Sequence, residues 1–491
     1  NNIHHLDFLA GYEIDDTYND YLSGEAYNFT TPDKHAISNG MKTVSVGGSD
    51  SRYRLVSYLS RLNYDYKNKY YLGASFRVDG SSRLHRNNRW GTFWSVSGAW
   101  RTIEEEFMQP VKDWLTDLRI RASYGVNGTL PSDYFGYMGL SSISGGYLEQ
   151  PGIQMSQIAN PNLKWETNYN MNIGLDFGFW DRLNFTIEYY TRTTKNLLMD
   201  CPVSMTTGFS SYLMNIGEVK NKGIELTINS TNIKIKDFSW NTTFNLGHNS
   251  NKVVKLDGEQ TQIVSGTQIH KVGSSYRTFY VQEFAGINPE TGNPLFYTNE
   301  LDENGNYIKE ITENSKNAQF IPYKHAEPTV NGGISNSLRY KWLDLNFLFS
   351  YQFGGYSYDT WAQKTEHGGY DSYANIPTYY RDSWKKPGDQ TNIEVYMLGK
   401  SSSVSMHKIT SSRRIHSTDY FRLKNITFGI TLPKEWTNKI NIGNVRFYAS
   451  ASNLWTWAAY DNYDPEAVSA GSATQTTPPL KTVTFGLNIN F

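Results

Sequence analysis

A regular alternation of apolar and polar residues runs through much of the chain. In the segment KWETNYNMNIGLDFGF, residues 164–179, large apolar side chains occupy one face and Lys, Glu, Asn and Asp occupy the other. A period of two residues predicts a β-strand. At about 3.3 Å per residue this strand would be about 50 Å long, whereas strands of globular proteins usually have about five or six residues. Such length favours strands that cross a membrane and project beyond it.

The same alternation recurs along the chain and predicts about fourteen long strands. The predicted strands are residues 4–14, 53–66, 70–80, 91–103, 116–127, 164–179, 182–190, 216–231, 237–249, 329–340, 341–354, 418–432, 443–457 and 481–491. Short turns alternate with long connections, and a short helix is expected within residues 104–115. The long loops are residues 15–52, 128–163, 193–215, 250–328, 355–417 and 458–478. Short turns at one end and long loops at the other are typical of an outer-membrane β-barrel.

The order of short and long connections restricts the longest loop. The strand before residue 250 and the strand after residue 328 each border a short turn on their other side, so 250–328 must hold zero or two strands. We expect residues 276–287 to lie in an elaborated extracellular loop as a local hairpin. The last strand then runs toward the short turns, which places Phe491 in the periplasm.

One predicted strand changes the parity of its apolar positions. Phe421 and Leu423 occupy odd positions, whereas Ile426 and Phe428 occupy even ones. A β-bulge near Lys424-Asn425 would return these side chains to one face.

Composition agrees with this interpretation and narrows it. Aromatic residues make up 15% of the 491 residues, which suits strands. The net charge of -1 gives no reason to expect nucleic acid. The predicted fold class is therefore an all-β, large antiparallel transmembrane β-barrel with long extracellular loops and short periplasmic turns. In a closed barrel the last strand pairs with the first strand and leaves no free edge. A chain can therefore end in mid-strand, as at Phe491.

Several longer motifs resemble the SusC/RagA family. They are FRVDGSSRL (76–84), WSVSGAWR (94–101), LRIRASYGVNGT (118–129), NPNLKWE (160–166), NIGEVKNKGIEL (215–226), RTFYVQEFAGINPETGNPLFY (277–297), DYFRLKNITFGITLPK (419–434), YDPE (463–466) and FGLNINF (485–491). The resemblance implies a TonB-dependent transporter of the Bacteroidetes outer membrane, whose 22-stranded barrel encloses an N-terminal plug. It further implies a SusD-like surface lipoprotein as a lid and a dimer of such pairs. The terminal Phe491 resembles the signal read by the barrel-assembly machinery.

The sequence departs from the family pattern at its beginning. Residues 1–491 contain no plug domain and no TonB box, and about eight of the 22 strands are not represented. We therefore interpret residues 1–491 as the C-terminal part of the barrel, with the plug domain and first strands not present in this chain. Contact with TonB would then occur through the missing N-terminal segment.

The expected function is TonB-dependent active import of oligosaccharides or peptides, by an integral outer-membrane protein embedded in the lipid bilayer that is not an enzyme. A passive porin or adhesin barrel is the alternative. A soluble β-rich carbohydrate-binding protein is disfavoured by the strand lengths and the alternating loops. The sequence does not decide between glycan and peptide substrates.

Residue patterns of catalytic and metal sites are missing from the sequence. It contains no HExxH, GxxxxGK[ST], GxSxG or CxxC, so we assign no catalytic residue, metal or cofactor. His4 and His5 fall on opposite faces of a strand. The segment LDENGNY places Asp302 in a pattern that is similar to a calcium loop, but Tyr307 stands where that loop needs Gly. A polar hairpin tip is the preferred interpretation.

The loop of residues 354–384 is the best candidate for ligand contact, because it interleaves aromatic and charged side chains. Its candidate residues are Tyr356, Tyr358, Trp361, Tyr370, Tyr373, Tyr379, Tyr380, Arg381 and Trp384. Aromatic faces stack on sugar rings, and Tyr, Trp and Arg are also enriched at protein interfaces. Ligand contact, lid contact and simple packing of the loop all remain open. The loop of residues 128–163, with Tyr134, Phe135 and Tyr137, is a weaker candidate of the same kind.

Overall fold

A computed structural model provides the architecture of the chain. It describes residues 3–34, 36–147, 150–256, 260–370, 375–399, 405–406, 408–440, 442–473 and 476–490. Statements about structure below refer to these residues.

Fourteen strands form one large antiparallel sheet in which each strand lies beside its neighbours in chain order. We number them β1 (His4–Phe29), β2 (Gly40–Tyr66), β3 (Tyr70–Ser81), β4 (Trp90–Trp100), β5 (Leu115–Thr129), β6 (Glu166–Phe179), β7 (Leu183–Lys195), β8 (Glu218–Lys234), β9 (Phe238–Lys255), β10 (Val330–Tyr340), β11 (Leu343–Phe353), β12 (Tyr420–Thr431), β13 (Asn444–Ala458) and β14 (Thr482–Asn490). The predicted set of fourteen strands in one antiparallel sheet is confirmed.

Short elements occupy the connections. The short strands are Leu140–Tyr147, Gln150–Gln157, Leu198–Pro202, Ser211–Asn215, Gln262–Ser265, Gln268–Lys271, Thr278–Gln282, Phe284–Ile287, Pro294–Tyr297, Glu300–Leu301, Tyr307–Ile308, Ile311–Thr312, Phe320–His325, Tyr356–Asp359, Ile415–Ser417, Val468–Ser469 and Ser472–Ala473. The α-helices are α1 (Thr360–Thr365) and α2 (Lys434–Thr437). The 3-10 segments are Ile37–Asn39, Thr102–Glu104, Glu106–Val111, Met205–Thr207, Ser315–Asn317, Thr378–Asp382, Ser412–Arg414, Asn438–Ile440 and Pro465–Ala467. The helix expected within residues 104–115 is thus a pair of 3-10 turns around 102–111.

Two compact units divide the chain. The first comprises Asn1–Trp100, Arg121–Met171 and Arg192–Glu218, and the second comprises Arg101–Ile120, Asn172–Thr191 and Val219–Phe491.

Each unit buries its own apolar clusters. In the first unit Leu84, Phe93, Leu163 and Trp165 form a core. In the second unit the cores lie within the long connections, and their members are Phe279, Val281 and Tyr358 in one cluster and Phe296, Ala318, Met406 and Ile409 in another.

The strands expose their apolar face and shield their polar face. In β3 the side chains of Leu72 and Phe76 are 62% and 49% exposed, whereas Ser75 and Arg77 are half-buried. Phe485 in β14 is 80% exposed. A water-soluble sheet would bury such residues. An apolar outer face with polar residues on the other face is the pattern of a membrane barrel.

Tight turns join several neighbouring strands. At Lys67-Asn68 and Trp180-Asp181 both central residues have φ between 51° and 55°. Two successive left-handed residues form the type I′ turn that matches the twist of paired strands. These are two of the short turns predicted from the sequence.

The prediction of a long loop at residues 15–52 is wrong. Strands β1 and β2 continue as a paired ladder from His4↔Tyr66 to Phe29↔Gly40. The apolar alternation fades in this part, but the backbone ladder does not depend on it. A cross-strand ion pair between Asp16 and Arg52, with Arg54 Nε 3.0 Å from Asp16 Oδ2, supports the polar section.

The longest connection contributes no strand to the main sheet among its described residues. This is one of the two outcomes, zero or two strands, that the alternation of turns and loops allowed. The two halves of residues 276–287 pair separately, rather than with each other as a hairpin. Thr278–Gln282 pairs with Gln268–Lys271 and with Phe320–His325, and Phe284–Ile287 pairs with Pro294–Tyr297.

The predicted bulge near Lys424 is present. Leu348 pairs with Asn425 and Phe349 pairs with Leu423, so Lys424 has no partner in this register. The pairing with β13 shifts at the same position. The extra residue returns the apolar side chains on both sides of it to one face.

Candidate functional site

Two long connections of the second unit meet through a small sheet. The strand Tyr356–Asp359 pairs antiparallel with Ile415–Ser417 and parallel with Ser472–Ala473. Helix α1 follows directly, and the Asp359 side chain caps it by accepting the Ala362 N–H at 2.7 Å. We call the described residues of 354–417 and 458–473 the loop cluster.

Four buried charged side chains lie inside the loop cluster. Arg413 Nη1 donates to Glu394 Oε2 at 3.0 Å, and its Nε lies 3.9 Å from Glu366 Oε2. Arg414 Nη1 lies 3.2 Å from the same Glu366 oxygen, and its Nη2 donates to the Met406 carbonyl at 3.1 Å. The side chains of Glu394 and Arg414 are fully buried. Two carboxylates and two guanidiniums cancel in charge, which burial at this depth requires.

Two predicted candidate tyrosines complete this buried group. Tyr380 is buried and its hydroxyl donates to Glu394 Oε1 at 2.9 Å, while the Tyr379 hydroxyl donates to Glu366 Oε1. Burial, together with the neighbouring carboxylates, raises the pKa of both phenols. Both therefore stay protonated and act as hydrogen-bond donors within the packed loop.

A stacked pair of rings joins the two connections. His416 and Tyr460 lie with ring centroids 3.7 Å apart and an interplanar angle of 3°. The Tyr460 hydroxyl donates to Asp359 Oδ2 at 3.1 Å. Burial lowers the pKa of His416 to about 4; Asp359 opposes this effect, and Arg414 and Arg413 add to it. The imidazole is therefore neutral at pH 7.

An ion-pair network fastens the 458–473 connection to β12. The Arg422 side chain is 2% exposed, donates to Asp464 Oδ2 at 2.5 Å and pairs with Glu466. Tyr420 and Lys424 also bond Glu466, at 3.1 and 2.7 Å. The motifs DYFRLKN and YDPE, both noted in the sequence, thus meet in space.

A cavity of about 690 Å³ opens beside this network. We call it the loop cavity. Its lining residues are Asp359, Trp361, Arg422, Asn453, Thr456, Trp457, Ala458, Asp461, Asn462, Tyr463, Asp464, Pro465, Ala473, Thr476, Pro478, Pro479 and Lys481. All of them belong to the second unit.

The predicted candidate residues separate into packed and exposed groups. Tyr358 and Tyr380 are buried, and Trp384 donates its indole N–H to the Pro289 carbonyl at 2.7 Å. Tyr356 and Tyr379 are half-buried. The exposed side chains are Trp361, Tyr370 and Arg381, and Trp361 lines the loop cavity. Tyr373 and Phe491 lie outside the described residues. Contact of any of these residues with a ligand or a lid stays a prediction.

Sequence reasoning missed the second half of the loop cavity. Trp457, Asp461 and Asn462 lie in or beside the 458–478 loop, which was predicted as a loop but not as part of a site. The signal in the sequence was the aromatic and acidic run WTWAAYDNYDPE, residues 455–466.

The segment around Asp302 forms the preferred hairpin tip. Glu300–Leu301 pairs with Tyr307–Ile308. Asp302 Oδ1 accepts the backbone N–H groups of Asn304 and Asn306 at 2.9 and 2.8 Å. Across the described part of the chain, no group of three or more His, Cys, Asp or Glu side chains is placed to hold a metal ion.

Comparison with known proteins decides the family. The family described as TonB dependent receptor-like, beta-barrel, matches residues 2–279 of this chain. The chain belongs to this family. TonB-dependent receptor P3 of Formosa agariphila is 32% identical over 99% of this chain and 51% of its own length. TonB-dependent receptor SusC of Bacteroides thetaiotaomicron is 30% identical over 96% of this chain and 47% of its own length.

A solved structure gives the same result for the fold. The RagAB peptide transporter matches with a TM-score of 0.87 and 27% identity, over 100% of this chain and 54% of that chain. The resemblance to the SusC/RagA family is confirmed, and with it the β-barrel fold class of an outer-membrane family. The chain spans about half the length of the curated relatives it matches. In the described residues of this TonB-dependent receptor-like chain, no helix has the length and apolar character needed to span a membrane.

The polar groups inside the loop cluster mostly bond one another. Its buried charges neutralise one another, and its hydroxyls and carboxylates are mostly engaged with neighbouring groups. What the cluster presents to solvent is a cavity with indole rings, amides, a hydroxyl and a carboxylate.

Proposed function

We propose that this chain is part of a TonB-dependent importer that carries oligosaccharides or peptides across the outer membrane. The observation that carries the proposal is the similarity over nearly the whole chain to receptors named TonB-dependent and to a peptide transporter of the same fold. The exposed apolar face of the strands supports a position in a lipid bilayer. The loop cluster supplies a surface for a ligand or for a lid.

The orientation and the partners belong to the same proposal. The long connections face the cell exterior and the short turns face the periplasm, with the C-terminus on the periplasmic side. A SusD-like lipoprotein covers the long loops, and two such pairs form a dimer. Since the chain matches about half of the length of each relative, we assign it to the C-terminal part of the barrel. The other half of such a protein would supply the plug and the TonB contact, while Phe491 is the signal for the barrel-assembly machinery.

Two binding measurements on the full-length protein test the proposal. The protein is extracted from outer membranes in mild detergent, every co-purifying polypeptide is identified, and binding of the purified periplasmic domain of TonB is measured. We expect a SusD-like lipoprotein in the preparation and saturable TonB binding, with a general porin from the same membrane as the control. A folded protein that brings no lipoprotein and binds no TonB would support the passive porin or adhesin alternative instead.

A further inference from the structure

Two rows of aromatic side chains cross the exposed apolar face of β1 to β4. The members of the outer row are Tyr12, Tyr58 and Trp90, and those of the inner row, beside the short turns, are Tyr66, Tyr70 and Trp100. Neighbouring ring centroids are 5.1 and 6.4 Å apart in the outer row, and 6.3 and 6.4 Å apart in the inner row. Outer-membrane barrels carry such aromatic girdles at both membrane interfaces, on either side of the lipid-facing band.

The separation of the two rows matches the height of that band. Trp90 and Trp100 stand at the two ends of β4. The strand between them is about 33 Å long at about 3.3 Å per residue. At a strand tilt of about 40° this length covers the apolar height of about 25 Å. The even-numbered residues of β1 to β4 between the rows are all uncharged. The rows therefore mark the edges of the lipid-facing band on these four strands.

Three charged side chains lie beyond the outer row on the same face of the sheet. Asp16 pairs in register with Arg54, and Arg52 is two residues away on β2. Side chains at this spacing share one face. Arg54 is about 13 Å from Tyr58 along the strand at about 3.3 Å per residue, or about 10 Å above the outer row at a tilt of about 40°. A long arginine side chain can reach back from there to the headgroup layer, which is about 5–8 Å deep.

The two guanidiniums lie side by side because both bond Asp16. Arg52 Nε donates to Asp16 Oδ1 at 2.6 Å, and Arg54 Nε donates to Asp16 Oδ2 at 3.0 Å. Ser82 fixes the backbone of Arg54, since its Oγ accepts the Arg54 N–H at 2.9 Å and its N–H donates to the Arg54 carbonyl at 3.0 Å. Two guanidiniums and one carboxylate leave one positive charge at this place.

The donors that remain suit a phosphate group. Arg54 bonds Asp16 through Nε alone, so both of its Nη groups stay available. The side chains of Arg52 and Arg54 are 52% and 57% exposed. A guanidinium binds phosphate through two parallel N–H bonds, and the charge of a phosphate complements the positive charge of this pair. Next to a lipid-facing band, the phosphate within reach is that of a lipid headgroup.

We propose that Arg52 and Arg54 bind the phosphate of a lipid headgroup in the outer leaflet of the membrane, with Asp16 as the residue that holds the two guanidiniums together. The inference rests on the membrane position and orientation within the proposed function. It assigns a phosphorylated lipid as a partner of the first unit.

Binding of lipid A to the full-length protein with its co-purified lipoprotein tests this site. The protein is purified in mild detergent, and phosphorylated lipid A is titrated and counted by native mass spectrometry, beside the same lipid A after a phosphatase has removed its phosphates. We expect the phosphorylated form to bind more tightly. R52Q and R54Q should each weaken its binding about fivefold, which is about 1 kcal/mol, and leave binding of the dephosphorylated form unchanged.

Two further variants separate a lipid site from an ion pair that only braces the strands. R61Q makes the same change on the same strand, but Arg61 lies on the opposite face, 3.6 Å from Asp7 Oδ1, and its loss should leave lipid binding unchanged. D16N removes the negative charge beside the two arginines and should tighten binding of phosphorylated lipid A. A role in bracing alone predicts that neither D16N nor R52Q changes lipid binding.

Four results would overturn the inference. They are equal binding of the two forms of lipid A, binding that R52Q and R54Q leave unchanged, an equal loss in R61Q, or displacement of lipid A by inorganic phosphate at the same concentration, which would assign the site to a free anion. An unchanged heat-modifiable band in gel electrophoresis excludes misfolding of the variants. TonB binding and lipoprotein recovery, measured on the same preparations, report separately on the importer proposal.

Discussion

At the scale of single residues, burial decides how much an ion pair contributes. Arg422 is 2% exposed and binds two carboxylates, whereas Arg52 is 52% exposed and binds Asp16. An exposed pair is screened by water and contributes little. Removing one partner of a buried pair leaves an uncompensated charge away from water. The same interaction type therefore predicts two different mutational results.

We expect R422A to lower the free energy of unfolding by about 3–5 kcal/mol and to loosen the 458–473 connection. R52A should lower it by about 0–1 kcal/mol. Thermal unfolding in detergent compares the two variants. Chymotrypsin cleavage at Tyr460 or Tyr463 reports on the connection itself and should accelerate in R422A alone. Equal behaviour of the two variants would contradict this account of the network.

His416 should make the loop cluster less stable in mild acid. Its folded pKa is about 4, because burial disfavours the imidazolium, with Asp359 opposing and Arg413 and Arg414 adding to the effect. The unfolded chain binds a proton near pH 6.5, so stability falls as pH drops from about 6.5 to 4. With allowance for solvent screening, the loss is about 2 kcal/mol.

H416F keeps a flat ring against Tyr460 and removes the titrating group. We expect the difference in unfolding free energy between pH 7.5 and pH 4.5 to shrink by about 2 kcal/mol relative to the unchanged protein. Both proteins contain the same carboxylates, so the effect of these carboxylates on the pH dependence cancels when the two proteins are compared at both pH values. An identical pH dependence of both would show that His416 is not responsible.

At the scale of elements, the bulge in β12 shows what alternation can predict. Phe421 and Leu423 differ in parity from Ile426 and Phe428, and only an inserted residue lets all four share one face. That inference needed nothing beyond the period of two. By contrast, the extension of β1 to Phe29 was missed, because both faces of its outer part mix polar and apolar side chains and the pairing there comes from the backbone ladder.

Deletion of Thr427 should disrupt assembly, whereas deletion of Lys424 should be tolerated. Without Lys424, the alternation of Phe421, Leu423, Ile426 and Phe428 becomes regular and needs no bulge. Without Thr427, Phe428 and the apolar side chains after it would lie on the polar face of the sheet. We expect little folded protein in the outer membrane for the Thr427 deletion alone, measured as loss of the compact, heat-modifiable band in gel electrophoresis. Normal assembly without Thr427 would contradict this account of the bulge.

At the scale of the whole molecule, the fold was predictable and most of the site was not. Fourteen strands follow from local patterns, because each strand carries its own alternation. The loop cluster depends on contacts between residues far apart in sequence, such as Asp359 with Tyr460 and Arg422 with Glu466. Composition marked residues 354–384 as the best candidate for ligand contact, which stays a prediction. It could not separate Tyr380, which is buried on Glu394, from Trp361, which is exposed.

The buried charged group has a consequence for how such proteins diversify. Glu366, Glu394, Arg413 and Arg414 lie beneath the surface of the loop cluster, and their opposite charges offset one another. Substitutions at exposed positions such as Trp361 can then alter the chemistry offered to the outside without unfolding the frame. The surface that the loop cluster presents to solvent can thus vary by single substitutions while the frame beneath it keeps its fold.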